Sequence, residues 1–245
     1  MNKKVMMMTA AVIAAGAVRA ADVSATADFA SAYIFRGATF NDGLVFQPGA
    51  AISGLPIPEQ YGAVTLGTWA NYDIADYGGK LKGNEFSEID YYLTYALPVK
   101  AVDLSATYTE YTYPHGADAD REIGVTVGKA VGETGLYPSL SVNYGLDGAI
   151  EQAWYIQGGL GYSKDLTDAL SLSAAVKVAY AIDDPSAGED GFNDATASLG
   201  LAYALTENWS VKGSINYVAQ LDDKVLTDDE YDRPVYGTLG LACNF

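Results

Sequence analysis

The chain has 245 residues, with 31 acidic and 14 basic side chains, a formal net charge of −17, one histidine and one cysteine. That balance excludes nucleic acid as a partner, because phosphate contacts need clustered Lys and Arg. The single Cys243 excludes an internal disulfide and a cysteine-rich metal site.

Residues 1–20 come first in chain order. Lys3 and Lys4 precede an apolar stretch over residues 5–18, and Val18-Arg19-Ala20 offers a cleavage site. The pattern predicts a cleaved secretory signal peptide over 1–20 and one domain over 21–245. No cysteine follows the apolar stretch, which argues against a lipid anchor. Beyond residue 20 no run approaches the ~20 apolar residues of a membrane helix. Charged residues are 18% of the chain, low against the ~25% usual for soluble domains.

From residue 22 onward the apolar residues alternate with period two, which predicts strands with two different faces. "VSATADFASAYIFRG" sets Val23, Ala25, Ala27, Phe29, Tyr33 and Phe35 against Ser24, Thr26, Asp28 and Arg36. "SEIDYYLTYAL" sets Ile89, Tyr91, Leu93, Tyr95 and Leu97 against Glu88, Asp90, Tyr92 and Thr94. "LSLSAAVKVAYAI" separates Leu170, Leu172, Ala174, Val176, Val178, Tyr180 and Ile182 from Ser171, Ser173 and Lys177. About twelve strands follow, near 23–36, 44–53, 61–73, 86–97, 101–113, 121–130, 136–146, 151–163, 169–182, 192–205, 209–220 and 234–245.

The connections alternate between short ("GLPIPEQ", "PVKAV", "AVGETG", "KDLTDA", "TEN") and mostly longer, acidic ones ("ADYGGKLKGNE", "PHGADAD", "DDPSAGEDG", "LDDKVLTDDEYDR"). Short turns at one end and long loops at the other predict an all-β fold, a transmembrane antiparallel up-and-down β-barrel of the outer-membrane type. A soluble barrel would carry many Lys and Glu on its polar face. Here that face is mostly Ser, Thr, Gly, Ala, Asn and Tyr, which suits a crowded, hydrated interior.

The apolar face also places aromatics near both strand ends, as two bilayer interfaces select. Tyr33, Tyr72, Tyr108, Tyr144, Trp154, Tyr180 and Tyr217 fall towards the long loops. Tyr95, Tyr162, Tyr203, Trp209 and Phe245 fall towards the short turns. In lipid every backbone polar group must be paired, so the last strand, "VYGTLGLACNF", is expected to close against the first. Phe245 then sits in the periplasmic belt. A terminal aromatic also resembles the signal by which bacterial barrels are recognised for assembly, which makes the barrel-assembly machinery an expected partner beside outer-membrane lipid.

Several stretches, in order, resemble the TorF-type porin family of Gram-negative outer membranes. "SAYIFRGATFNDGLVFQPG" is similar to its tyrosine-x-phenylalanine-arginine-glycine signature. "VTLGTWANYDIADY" resembles its Gly-x-Trp segment, "SEIDYYLTYAL" its acidic strand, and "YTEYTYPHG" its Tyr-Pro-Gly loop. His115 stands between Pro114 and Gly116, where the family has no insertion. The resemblance covers roughly residues 28–116 and implies an outer-membrane barrel.

Catalysis finds little support. The only histidine, His115, lies in "YPHGADAD" near Asp118 and Asp120, without a nucleophile–base pair. The acidic loops offer oxygen atoms for Ca²⁺ but lack ordered ligand spacing, so solvated charge is the simpler reading and no cofactor or metal is expected. Cys243 reads as a small apolar filler facing lipid.

The interior charges Asp28, Arg36, Glu88, Asp90, Glu122, Lys177 and Lys212, with Asp73 at the outer rim, are the candidates for lining a water path or bracing the lumen. Arg36 is expected at the outer end of the first strand, close to Glu88, Asp90, Asp73 and the 228–232 stretch. The chain therefore reads as a channel for small solutes or ions, cation-preferring because of its acidic mouth. A closed barrel with a structural or surface-interaction role is the alternative, and an outer-membrane enzyme a distant third.

Overall fold

A computed structural model describes residues 21–77, 81–185, 187 and 189–245. The expected signal peptide lies outside the described residues. Twelve strands form one closed antiparallel barrel. The first, β1 (Asp22–Ala30), is followed by a small separate hairpin of β2 (Tyr33–Phe35) and β3 (Ala38–Asn41). The wall continues with β4 (Val45–Ser53), β5 (Ala63–Asp73), β6 (Glu85–Ala96), β7 (Asp103–Thr112) and β8 (Asp120–Gly128). It is completed by β9 (Leu136–Asp147), β10 (Trp154–Asp165), β11 (Leu170–Ile182), β12 (Gly191–Ala204), β13 (Trp209–Gln220) and β14 (Val235–Asn244).

Closure follows from pairing. β1 and β14 run antiparallel with Ser24 opposite Asn244 and Ala30 opposite Thr238. Beyond the last register pair, Phe245 N–H donates to the Val23 carbonyl at 2.8 Å and Val23 N–H returns a bond to Phe245 at 3.2 Å. No wall strand is left with an open edge, the condition for backbone in hydrocarbon.

The outward face is the apolar one. Leu66, Leu93, Val125, Leu160, Val176, Leu199, Ile215 and Leu239 are all exposed, an arrangement that suits lipid and would be unfavourable in water. Cross-strand aromatic pairs stand at the long-loop end: Tyr72 with Phe86 (ring centroids 5.1 Å), Tyr144 with Trp154 (4.5 Å) and Tyr180 with Phe192 (5.3 Å). At the other end Trp209 meets Phe245 edge-on at 6.5 Å. Such pairs each contribute about 0.5–1.5 kcal/mol beyond their buried area. Tyr33 is a correction to the girdle, since it is 5% exposed and lies inside the barrel. Cys243 keeps its outward register, between Ala25 and Trp209, but is covered.

The first strand is shorter than its alternation predicts. It stops at Ala30, and residues 31–44 turn into the lumen. Ala30 and Ala32 are each 1% exposed, so the corner is built from side chains small enough to pack against the wall. Ser31 anchors it, its N–H donating to the Gly237 carbonyl at 3.0 Å and its Oγ accepting from Gly237 N–H at 3.0 Å.

Candidate functional site

The inward hairpin is a local consequence of two residues. Arg36 has φ +50° and Gly37 φ +84°, and two successive positive φ values make the tight turn that suits a twisted two-residue hairpin. At Gly37 the demand is also steric, because a Cβ would lie 2.7 Å from Leu226 Cδ2 and 2.9 Å from Asp194 Cβ. Non-glycine residues at positive φ carry strain that surrounding contacts must offset. For Arg36 those contacts are abundant.

The hairpin crosses the bore. In the barrel circuit β8 and β10 flank β9, which stands opposite β1. Arg36, at the hairpin tip, reaches that far wall. Its Nη2 lies 2.5 Å from Glu122 Oε2 on β8, and its Cζ lies 4.5 Å from the Tyr155 ring centroid on β10. The Arg36 carbonyl accepts from Asn193 Nδ2 at 2.7 Å, and Asn193 also donates to Asp194 Oδ1 at 3.0 Å. Tyr155 Oη donates to the same Asp194 oxygen at 2.7 Å, and Tyr111 Oη donates to Glu122 at 3.3 Å. The expected pairing of Arg36 with Glu88, Asp90 or Asp73 is therefore corrected. Strand β1 ends six residues before Arg36, so the guanidinium is carried across the lumen rather than held over its own wall.

Glu88 and Asp73 hold the near side of the same hairpin. Tyr33 Oη donates to Glu88 Oε2 at 2.7 Å, and its ring packs at 5.4 Å from Trp69 and 5.2 Å from Phe40. Asn41 donates to Asp73 Oδ1 at 2.6 Å and Asn71 to the same oxygen at 2.9 Å. Asp73 is fully buried. It is a structural acceptor, where the sequence reading places a charge at an open rim. Asp120 is similar, being 5% exposed with its Oδ2 accepting from Tyr113 at 2.8 Å.

The 221–234 connection covers the hairpin from outside. Val225 and Leu226 are each 2% exposed, and Thr39 N–H donates to the Glu230 carbonyl at 2.7 Å. Thr39 Oγ1 accepts from the N–H groups of Asp232 (3.1 Å) and Arg233 (3.0 Å). Arg233 pairs with Asp42 at 3.1 Å. The 228–232 stretch thus meets Thr39. Tyr77 Oη donates to Asp232 at 2.9 Å. Burial, that hydrogen bond and the nearby carboxylate push the Tyr77 hydroxyl up to about 12.

Away from the hairpin, Asp28 and Lys212 pair at 2.9 Å across an intervening strand. The residue between them in register is Gly240. A Cβ there would sit 1.8 Å from Asp28 Oδ1, so the bridge requires glycine. Lys177 faces inward on β11, in register with Gly159 and Thr196. Asp28, Glu88, Asp90, Glu122, Lys177 and Lys212 face the interior from their wall strands, whereas Arg36 reaches it only through the hairpin.

The sequence reading missed Asp194, Asn193, Tyr155 and Asn41. Asp194 was legible, because it shares the inner face with Thr196 and Ser198. Tyr155 and Asn41 were not, since their importance arises only from the inserted hairpin. His115 faces Glu85 at 3.6 Å and does not join Asp118 and Asp120. Among the described residues no group of three or more His, Cys, Asp or Glu side chains is placed to hold a metal ion.

No family model matches the sequence, and no curated protein matches it. Solved structures do resemble it in shape. The NanC porin aligns over 91% of this chain and 98% of its own, with 10% identity and a TM-score of 0.53. An outer-membrane channel from Pseudomonas putida F1 aligns over 94% and 97%, with 10% identity and a TM-score of 0.55. The KdgM porin aligns over 91% and 99%, with 10% identity and a TM-score of 0.51. At these identities the likeness is one of fold: the chain has the closed β-barrel architecture of outer-membrane porins and channels.

Proposed function

We propose that this chain is an outer-membrane channel for small solutes or ions, with a preference for cations. The observation that carries the reading is the lining. Asp28, Glu88, Asp90, Glu122 and Asp194 face inward from the wall, against Arg36, Lys177 and Lys212. Two of those three cations are already paired with carboxylates. A water-filled bore of that polarity concentrates cations. The fold of porins and channels supports a channel role and gives no support to an enzyme. Residues 1–20 serve as the export signal in this proposal, and the residues quoted above carry the finer resemblance to TorF-type porins.

One structural relative, KdgM, was crystallised with oligogalacturonate, a chain of carboxylated sugars. An acid-rich lumen disfavours such a polyanion, so the shared barrel here takes a different class of cargo. The hairpin narrows the outer half of the bore and restricts passage to small species.

The hairpin also favours a second reading, a closed barrel with a structural or surface-interaction role, since it spans the lumen and is bonded to the far wall. Planar-bilayer recording under a KCl gradient separates the two. Discrete currents with a cation-selective reversal potential support the channel. Folded, heat-modifiable protein without current supports the closed barrel.

A further inference from the structure

Of the three cations in the lumen, Arg36 pairs with Glu122 and Lys212 with Asp28. Lys177 makes no ion pair and no hydrogen bond among the described residues. Its direction follows from its neighbours. Val176 and Val178, on either side of it, are 55% and 44% exposed on the lipid face, so Lys177 points inward. Small side chains surround it. The next inward residues on its own strand are Ala175 and Ala179, and its register partners are Gly159 on β10 and Thr196 on β12. A Cβ at Gly159 would lie 3.4 Å from Lys177 Cγ and 3.3 Å from Ser139 Oγ, so the lysine leans over a position that has no side chain. None of these neighbours supplies a carboxylate.

Asp194, two residues from Thr196, is the carboxylate that acts on Lys177 electrostatically. Both of its oxygens already accept hydrogen bonds, Oδ1 from Tyr155 and Asn193 and Oδ2 from Thr196 at 3.1 Å. Those bonds tie Asp194 into the network under the hairpin tip, where Asn193 also donates to the Arg36 carbonyl. Ala179, the next inward residue above Lys177, is 1% exposed and fully covered. Lys177 is thus the first charged side chain below the covered stretch of β11. A carboxylate-rich wall draws cations of every valence, and draws divalent ions with the square of its factor for monovalent ones. A fixed ammonium on the same path acts by the same rule with the opposite sign. At ~7 Å in a water-like dielectric its repulsion is about RT, or about threefold per unit of charge. Monovalent cations are then depleted about threefold and divalent cations about ninefold.

We infer that Lys177 is a specificity-determining residue of the bore, a positive charge without an ion-pair partner that lets singly charged cations pass and holds divalent cations back. The inference deepens the cation-channel reading by naming the class of ion carried, and it rests on that reading.

The test is the reversal potential of the full, refolded, heat-modifiable barrel in planar bilayers at pH 7. KCl on one side and CaCl₂ on the other, at equal chloride, give the Ca²⁺/K⁺ permeability ratio. Lys177→Met keeps most of the side chain and removes its charge, and should raise that ratio about threefold or more. Lys177→Arg should keep the parent ratio, and Lys177→Glu should raise it beyond Lys177→Met. A packing role would not follow charge in that order. In a Cys243→Ala background, Lys177→Cys should show the raised ratio. A cationic methanethiosulfonate should return it to the parent value, and an anionic one should raise it further. An unchanged ratio in folded Lys177→Met, or no response of Lys177→Cys to either reagent, would overturn the role of Lys177 and leave the cation channel standing. Absence of current in the parent would refute the channel reading and this inference together.

Discussion

Arg36 at the tip of an inward hairpin and Glu122 on the opposite wall of the barrel meet at 2.5 Å, spanning the lumen between β1 and β8. The two are 86 residues apart in sequence. Glu122 is 6% exposed and Arg36 20%, so the pair is sheltered even though the bore is polar. Removing one partner of such a pair leaves the other charge uncompensated, which costs about 3–5 kcal/mol when burial is complete. Partial hydration of the lumen lowers that figure.

Arg36→Ala is therefore expected to release the hairpin from the far wall. Single-channel conductance and cation preference should both rise, and the urea midpoint of the refolded barrel should fall. Arg36→Lys restores charge but neither the planar fork nor the stacking on Tyr155, so its conductance should lie between those of the parent and Arg36→Ala. Equal current, noise and reversal potential in all three would show that the hairpin tip does not govern passage.

Glycine at position 240 permits the Asp28–Lys212 bridge. Gly240→Val should force Asp28 off Lys212, with an overpacking cost of about 1–3 kcal/mol. Lys212→Met removes one lumen cation without a clash, and since a partly exposed pair is worth only ~0–1 kcal/mol, its stability should barely change. Its reversal potential should shift towards cations. The comparison of urea midpoint with reversal potential across the two variants separates packing from charge.

Phe245 completes the seam. It exchanges backbone hydrogen bonds with Val23 and packs against Trp209. Deletion of Phe245 should lower the yield of membrane-inserted, heat-modifiable barrel, because the closing strand loses its last pairing and its aromatic anchor. Normal yield in outer-membrane fractions would show that the seam tolerates its loss.

Salt should weaken the cation preference. The Debye length falls from ~10 Å at 0.1 M to ~3 Å at 1 M, so the long-range field of exposed loop carboxylates such as Asp183, Asp222 and Asp229 is screened. The buried lining of Glu88, Asp90 and Asp194 is screened less. Selectivity measured from reversal potentials should decline with salt without vanishing. Anion selectivity at low salt would contradict the lining argument.

Tyr77 provides a check on the outer cover. Its hydroxyl is raised to about 12 by burial and by its bond to Asp232, above the ordinary 10. The bond's contribution is present below pH 10 and is lost as pH rises through about 12. Tyr77→Phe should remove the same hydrogen bond at neutral pH. Proteolysis of the 221–234 connection in whole cells should be faster in that variant.

The wall of this protein was legible from residue order alone. Period-two alternation in stretches such as "SEIDYYLTYAL" places Glu88 and Asp90 inside and Tyr91 and Leu93 outside, because neighbouring side chains on a strand must face opposite ways. The alternation of short and long connections likewise set the circuit. The inner hairpin was not legible. "SAYIFRG" continues the same alternation as the strand before it, and the corner at residues 30–32 carries no proline or glycine to announce a break. What bends it inward is non-local: Asn193, Glu122, Tyr155 and Glu88, from four separate strands, supply the hydrogen bonds and charge that residues 33–37 need. Only closure of the barrel brings those groups within reach of one turn, so tertiary structure alone decided that Arg36 crosses the lumen.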